Sequence, residues 1–343
     1  MKKVRKGKHR ATKPKRRIKP KPQNKSRVHA SHSNGEPAQG SLGADNPLQT
    51  QTNQLTLAAA ALGRGDPHSA FDICREMLTL SPFDPGALNL AGVAAFQAGL
   101  AAEGLELLQK AVSLSPRNAE AQTNLGNVLA HLGKESAATL AYEKAMQADP
   151  DYAEAFFNFG ILMEGNGQPE KAIVALNKVL EKEPRHVLAL HGLGNAFKTL
   201  SRLEEAKAAF HAALKIDPSL SLARTNLAAV LYEIGDFKGA TEECQRAIKI
   251  NPDLYEAQYN LGTAYTLLGS LEQAVRNFDA AIRLNPDHRD AFANRAVAYA
   301  AMGDTARSES DSKEALRLGA NRQGLAAALD YVSSIRSKKN ERR

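Results

Sequence analysis

The sequence contains no tryptophan, and aromatic residues make up only 6% of its 343 residues. Its two cysteines, Cys74 and Cys244, are too few for a disulfide framework. No run of 18 or more apolar residues occurs, so no membrane-spanning helix is predicted. A chain that is 43% hydrophobic but poor in large rings must pack with aliphatic and small residues, and this favours helices.

Patterns typical of catalysis or cofactor binding are also lacking. The nine histidines are scattered, and no histidine and cysteine group has the spacing of a zinc site. The glycines in the Leu-Gly-Asn and Leu-Gly-Thr triplets lie within predicted helices, so they are not phosphate-binding loops. The sequence therefore predicts a protein that is not an enzyme and that holds no metal and no cofactor.

Acidic residues are almost missing from the two ends of the chain. Residues 1–30 contain 14 basic and no acidic residues, and residues 336–343 contain five basic and one acidic residue. The net charge of +8 therefore describes the ends, because residues 51–335 carry a net charge of −8. High charge with few apolar side chains predicts that 1–50 is a basic disordered tail and that 336–343 is a basic C-terminal tail.

Two interpretations of the N-terminal segment remain open. Its cations suit a polyanion such as RNA, DNA or an anionic membrane surface, with strongly salt-dependent binding. Alternatively it is a solvated extension, since no aromatic residue within 1–50 offers a base a stacking surface. No apolar core follows the charges as in a secretory signal, so we expect a cytoplasmic protein, or a nuclear one in a eukaryote.

Against these absences stands a repeat with a period of 34 residues. When each unit is counted so that its recurring proline is position 32, eight units cover residues 51–322. Positions 8 and 20 are small in every unit, and position 15 is glycine in all but the fifth, which has Ser201. The prolines are Pro82, Pro116, Pro150, Pro184, Pro218, Pro252 and Pro286. A fixed period of this length predicts stacked structural repeats.

Each unit predicts an antiparallel pair of helices. Positions 4, 7, 8 and 11 share one helical face, and positions 20, 24 and 27 share a face of a second helix. The glycine at position 15 ends the first helix, and the proline at position 32 follows the second. Both cysteines fall at position 24, where we expect buried small hydrophobic residues. One hairpin cannot cover its own apolar face, so neighbouring hairpins must stack.

The unit at 119–150, AEAQTNLGNVLAHLGKESAATLAYEKAMQADP, resembles the tetratricopeptide repeat at nearly every defining position. The resemblance implies an all-α fold, an α-solenoid in which eight hairpins form a right-handed superhelix with a concave groove lined by the first helices. It also implies a non-catalytic scaffold for protein–protein interaction. The repeats are most similar to those of O-linked N-acetylglucosamine transferase, whose catalytic domain has no counterpart in this sequence.

The last unit departs from the pattern. It has Ala320 in place of the proline and is polar at positions 20 and 24. After it, apolar residues recur from Leu325 to Ile335. We interpret 323–335 as a helix that caps the last hairpin, as expected at the end of a solenoid.

Asparagine recurs on the first helices, although it is a poor helix former. It occupies position 6 in five units and position 9 in two, at Asn124, Asn158, Asn226, Asn260, Asn294, Asn127 and Asn195. One interpretation is a peptide-binding groove, in which a row of amides donates to and accepts from an extended polypeptide. The resemblance implies such a ladder in the transferase. The other interpretation is that these amides bridge adjacent hairpins.

Positions 2, 5 and 6 carry no cluster of basic residues, which excludes the variant of this family that binds a C-terminal carboxylate. Acidic residues at position 2 instead suit a partner with basic character, including the chain's own N-terminal segment. We therefore predict a scaffold that binds an extended polypeptide in its groove. The alternatives are an adaptor that its tail anchors to nucleic acid or to an envelope, and a recruiting partner of a separate glycosyltransferase.

Overall fold

The computed structural model describes residues 47–341 of the chain, with side chains from 51 to 335. All regular structure in this part is helical, which confirms the predicted all-α repeat array. The helices are α1 (Pro47–Gly63), α2 (Pro67–Leu80), α3 (Pro85–Gln97), α4 (Ala101–Leu114), α5 (Ala119–His131), α6 (Glu135–Ala148), α7 (Ala153–Gly165), α8 (Pro169–Lys182), α9 (Val187–Thr199), α10 (Leu203–Ile216), α11 (Ser221–Ile234), α12 (Phe237–Ile250), α13 (Tyr255–Leu267), α14 (Leu271–Leu284), α15 (Arg289–Met302), α16 (Thr305–Arg317) and α17 (Arg322–Glu341).

Helices α1 to α16 form eight hairpins, which divide into two compact units at Pro150 and Asp151. The N-terminal unit contains α1 to α6, and the C-terminal unit contains α7 to α17. Within each unit, the second helix of a hairpin packs against the first helix of the next hairpin. Successive first helices within a unit also contact each other, so they form one continuous side of that unit.

The two helices of each hairpin are joined through a residue with positive φ at position 15. Seven of these residues are glycines, and the eighth is Ser201 with a φ of 57°. Left-handed backbone costs a residue with a Cβ atom about 1–2 kcal/mol, so the fifth hairpin contains a locally strained turn.

The hairpin cores show a match in size between positions 8 and 24. Where position 8 is glycine, position 24 is bulky: a Cβ atom on Gly262 would lie 2.7 Å from the ring of Phe278, and one on Gly194 would lie 2.5 Å from the ring of Phe210. Where position 8 is alanine, position 24 is small. The small pairs are Ala58 with Cys74, Ala228 with Cys244, and Ala296 with Ser312.

This match explains where the cysteines lie. Cys74 and Cys244 are fully buried, and burial raises the pKa of Cys74 to about 11 and that of Cys244 to about 12. Both thiols therefore remain protonated at neutral pH and pack as small hydrophobic groups.

The ends of the helical region differ from the expected boundaries. Helix α1 begins at Pro47, so the last four residues of the segment 1–50 are helical, and residues 1–46 lie outside the described part. Helix α17 is longer than the predicted cap at 323–335, because it runs from Arg322 to Glu341 and includes most of the predicted basic tail. It packs against α15, the first helix of the last hairpin, and buries Leu325.

No helix within residues 47–341 is long and apolar enough to cross a membrane.

Candidate functional site

The seven asparagines predicted as a binding site all lie half-buried on first helices. Asn124 and Asn127 belong to the N-terminal unit, and the other five belong to the C-terminal unit. In each unit they lie on the side formed by neighbouring first helices. We call positions 2, 5, 6 and 9 of these helices the first-helix face.

Asn226 on α11 joins three side chains of α9. Its Nδ2 donates to Oδ1 of Asn195 at 2.9 Å and lies 3.1 Å from Nε2 of His191. Its Oδ1 accepts a hydrogen bond from Nζ of Lys198 at 3.1 Å. Two of the predicted residues, Asn195 and Asn226, are thus brought into direct contact, and their bond ties one hairpin to the next.

The electrostatics of this cluster keep His191 neutral. Burial, and secondarily the charge of Lys198, lowers the pKa of His191 to about 4. A neutral imidazole keeps a lone pair on one ring nitrogen, which Nδ2 of Asn226 can use as an acceptor. The cluster therefore depends on a deprotonated histidine.

The same direction of bonding recurs at other position-6 asparagines. Nδ2 of Asn294 donates to Oη of Tyr259 at 3.1 Å, and Nδ2 of Asn260 donates to the backbone oxygen of Thr225 at 3.4 Å. In every case the amide nitrogen donates to position 5 or 9 of the preceding first helix. This geometry agrees with the interpretation that the amides bridge hairpins.

The N-terminal unit contains a related chain of bonds. Nδ2 of Asn124 donates to Oδ1 of Asn89 at 3.0 Å, and Nδ2 of Asn89 donates to Oε1 of Glu120 at 3.0 Å. Asn127 is held differently, since its Oδ1 accepts from the hydroxyl of Tyr142 within the same hairpin at 2.8 Å. Positions 2, 5 and 6 of successive first helices are therefore neighbours in this unit.

Asn158 differs from the other position-6 asparagines in its location within its unit. It lies on α7, the first helix of the C-terminal unit, so no preceding first helix exists within that unit. The bridging pattern of the other position-6 amides is thus unavailable to it there, although its side chain is half-buried like theirs.

An aromatic group lies at the other end of the face in the C-terminal unit. The ring of His288 lies 4.7 Å from that of Tyr259 and 5.3 Å from that of Tyr255. Burial, and then the charge of Asp290, raises the pKa of Tyr259, so its hydroxyl stays protonated at neutral pH. Burial lowers the pKa of His288, while Asp290 and Glu256 act in the opposite direction.

Position 2 forms the outer row of the face. In the C-terminal unit it reads Glu154, Leu188, Leu222, Glu256 and Asp290. The two leucines are 41% and 43% exposed, which is high for aliphatic side chains. In the C-terminal unit, position 2 therefore places an exposed aliphatic pair between acidic residues.

Several residues of this site were not predicted. His191, Tyr259 and Asn89 stand at position 5, next to the asparagines across the repeat boundary, and Lys198 stands at position 12. The three residues at position 5 could have been found by searching for a polar residue at that position with an asparagine 35 residues later.

The described residues contain no group of three or more histidine, cysteine, aspartate or glutamate side chains placed to hold a metal ion. The chemistry that the face offers is hydrogen bonding, apolar contact and negative charge at its edge.

Comparison with known proteins agrees with the hairpin architecture. Tetratricopeptide repeat models match residues 89–153, 141–174 and 187–220, and a TPR repeat model matches residues 229–269 and 262–303. No curated protein matches the chain.

Three solved structures have a similar fold. Cut9–Hcn1, a hetero-tetramer of the APC/C, has 18% identity and a TM-score of 0.59, over 84% of this chain and 57% of that chain. The C-terminal part of a TPR repeat-containing protein from Cytophaga hutchinsonii has 16% identity and a TM-score of 0.53, over 70% of this chain and 98% of that one. PilF of Pseudomonas aeruginosa has 18% identity and a TM-score of 0.53, over 60% and 93%.

These structures share only the fold with the chain, whereas the repeat models match five segments spread over both units. The 34-residue period, the eight hairpins and these matches lead to one conclusion. The chain belongs to the tetratricopeptide repeat family.

Proposed function

We propose that the chain is a protein-interaction scaffold whose first-helix face in the C-terminal unit binds an extended polypeptide. The observation that carries this proposal is the series of half-buried polar groups that link successive first helices. Proteins of this family generally act as non-catalytic scaffolds.

The amide nitrogens and the amide oxygens of these asparagines have different roles. In Asn260 and Asn294 the bonds described above use Nδ2, which points to the preceding first helix. We assign the amide oxygens the role of accepting N–H groups from a bound peptide. Asn158, on the first helix of the same unit, would extend the same recognition.

A fixed set of acceptors on stacked helices suits an extended chain, since such a chain leaves its own N–H groups unpaired. The bridges between hairpins hold these acceptors in place before the partner arrives. Such preorganisation reduces the entropy that binding must offset.

A photo-crosslinking amino acid placed in the full-length protein tests this proposal. We would introduce it at Ala229, at position 9 of α11 on the face, and at the exposed Ala208 on the second helix α10 as the matched control. The expected result is a crosslinked polypeptide from Ala229 but not from Ala208, in cells that produce the protein naturally. Equal capture at both positions would show that the face is not the binding surface.

A further inference from the structure

The row at position 2 of the C-terminal unit has a definite order of chemistry. Glu154 comes first, the exposed Leu188 and Leu222 follow, and Glu256 comes next. These residues stand at one position of four successive first helices, α7, α9, α11 and α13. Acidic groups therefore lie one repeat to either side of an exposed aliphatic pair.

The row lies beside the rest of the face. In the N-terminal unit, Asn89 at position 5 bonds to Glu120 at position 2 of the next first helix. In the C-terminal unit, the carboxylate of Asp290 at position 2 is close enough to Tyr259 at position 5 to influence it electrostatically. A polypeptide lying over positions 5, 6 and 9 would thus pass along the position-2 row.

The distance between repeats sets the register of such a partner. Packed helices lie about 8–10 Å apart. In a β-strand, successive side chains point to opposite faces, so residues three apart could not both contact the row. A segment in the extended polyproline-II conformation rises about 3.1 Å per residue and has three residues per turn, so its side chains recur on one side every three residues. One repeat therefore corresponds to about three residues of such an extended segment, and side chains that contact consecutive members of the row are spaced three apart.

We propose that the partner is an extended segment with two aliphatic residues three positions apart. One lysine or arginine lies three positions before the first aliphatic residue, and another lies three positions after the second. This inference rests on the proposed function and specifies its ligand. The aliphatic pair would cover Leu188 and Leu222, and the two cations would meet Glu154 and Glu256. Tyr152 already donates to Oε2 of Glu154 at 3.1 Å, which orients that carboxylate.

The chain's own basic N-terminal segment is a poorer occupant. It supplies cations, but its bulky aliphatic residues within 1–30 are Val4, Ile18 and Val28. They are ten or more positions apart, so no two of them can contact Leu188 and Leu222 together. Charge complementarity alone would not distinguish this segment from a true partner, and the test therefore includes it.

The test measures binding of labelled peptides to the full-length protein by fluorescence polarisation. The probe has the sequence Lys-Ser-Thr-Leu-Ser-Thr-Leu-Ser-Thr-Lys. The comparison peptides replace both leucines by serine, insert one residue between the leucines, or reproduce residues 1–30 of the chain. We expect the probe to bind at least about tenfold more tightly than the serine peptide and the insertion peptide, because both lose the paired apolar contact. Equal binding of the serine peptide or of the 1–30 peptide would overturn the proposal, because charge alone would then suffice.

Variants of the protein locate the binding surface. The double change Leu188→Ser and Leu222→Ser should weaken probe binding at least about tenfold. Glu154→Gln with Glu256→Gln should weaken it and flatten its salt dependence. The matched controls are Val174→Ser, a 68% exposed residue on α8, and Glu170→Gln with Glu272→Gln on second helices, and these should leave binding unchanged.

The outcomes separate this inference from the proposed function. If the probe competes with the partner crosslinked at Ala229 but is insensitive to the leucine and glutamate changes, the inference is wrong and the proposed function stands. The inference is also overturned if the probe does not bind at about 100 μM. A dissociation constant of that size corresponds to a binding free energy of about −5.5 kcal/mol. Failure to obtain a crosslinked polypeptide at Ala229 would instead contradict the proposed function.

Discussion

At the residue scale, each hairpin core depends on the fit between positions 8 and 24. A bulky residue at position 24 fills the space that a Cβ atom at position 8 would occupy, as with Phe278 over Gly262. Since protein interiors are packed like crystals, neither member of a pair can change size alone without strain or a void.

This fit predicts a strong coupling between Ala228 and Cys244. Cys244→Phe should lower the free energy of unfolding by about 1–3 kcal/mol, because the ring meets the Ala228 methyl group. Ala228→Gly alone should cost about 1 kcal/mol through helix propensity. The double variant should be at least about 1 kcal/mol more stable than the sum of the single changes predicts. Denaturant unfolding of the four proteins measures this, and simple additivity would contradict the size match.

The strained turn at Ser201 predicts a stabilising substitution. Ser201→Gly should raise the free energy of unfolding by about 0.5–1 kcal/mol, because glycine adopts a φ of 57° without steric cost. The matched change Gly269→Ser, at a φ of 74° in the same position of another hairpin, should lower it by a similar amount. If both changes shift the denaturant midpoint in the same direction, the turn is not the source of strain.

The bonds of Asn226 predict that it supports stability. Asn226→Ala removes the partner of Asn195 and Lys198 and should cost about 1–3 kcal/mol, despite the better helix propensity of alanine. Asn158→Ala, at the first helix of its unit, should be neutral or slightly stabilising. Thermal unfolding of both variants separates the two cases. An unchanged melting temperature for Asn226→Ala would show that its bonds contribute no net stability.

At the element scale, histidine side chains take part in starting helices and in joining them. The N-caps of α9 and α15 are His186 and His288, and their Nδ1 atoms accept from the backbone N–H groups of Ala189 and Ala291, both at 3.1 Å. A protonated imidazole has no acceptor, so the cap at His288 requires the neutral form. His191 requires it too, within the contact between α9 and α11.

His191 therefore predicts acid sensitivity. The pKa of His191 is 6.5 in the unfolded chain and about 4 in the folded protein. The unfolded chain therefore takes up a proton first as the pH falls. The stabilisation should be complete above pH 6.5, decline as the pH falls towards 4, and be absent below it, with a total of about 3 kcal/mol. His191→Gln should lose less stability than the natural chain between pH 7.5 and pH 4.5 in denaturant titrations. Parallel curves for the two proteins would contradict this origin.

The helices could be predicted from the sequence to the extent that their core positions recur. The spacing of small residues and prolines determines the hairpins, because every repeat buries the same positions. Helix α17 was predicted too short, since its second half lacks the apolar period that marks a buried face. Which atoms Asn226 and Asn294 contact could not be predicted, because the acceptors at positions 5 and 9 differ from repeat to repeat, from His191 and Asn195 to Tyr259.

At the scale of the whole molecule, the largest excess of positive charge lies in a segment that precedes the described helices. Removing residues 1–30 deletes 14 positive charges and turns a net charge of +8 negative. The described helices begin only at Pro47. A proposed contact of this segment with a polyanion can therefore be tested without altering the hairpins.

Deletion of residues 1–30 should leave the melting temperature unchanged and abolish binding to a single-stranded oligonucleotide. For the natural chain, the logarithm of affinity should fall linearly with the logarithm of salt concentration, with a slope of about −0.7 per phosphate neutralised. Oligonucleotide titrations from low to physiological salt measure this. Binding that survives the deletion, or that is independent of salt, would contradict the role of the segment.

The pairing of positions 8 and 24 also limits how such a gene can be rearranged. Recombination within a hairpin could place a phenylalanine such as Phe210 against an alanine, or a cysteine such as Cys244 against a glycine, and each product would be overpacked or hollow. Recombination in the loops between hairpins keeps every matched pair together. Adding, removing or exchanging whole hairpins therefore preserves each core. The hairpin, rather than the single helix, is the smallest segment that can be exchanged without disturbing the packing.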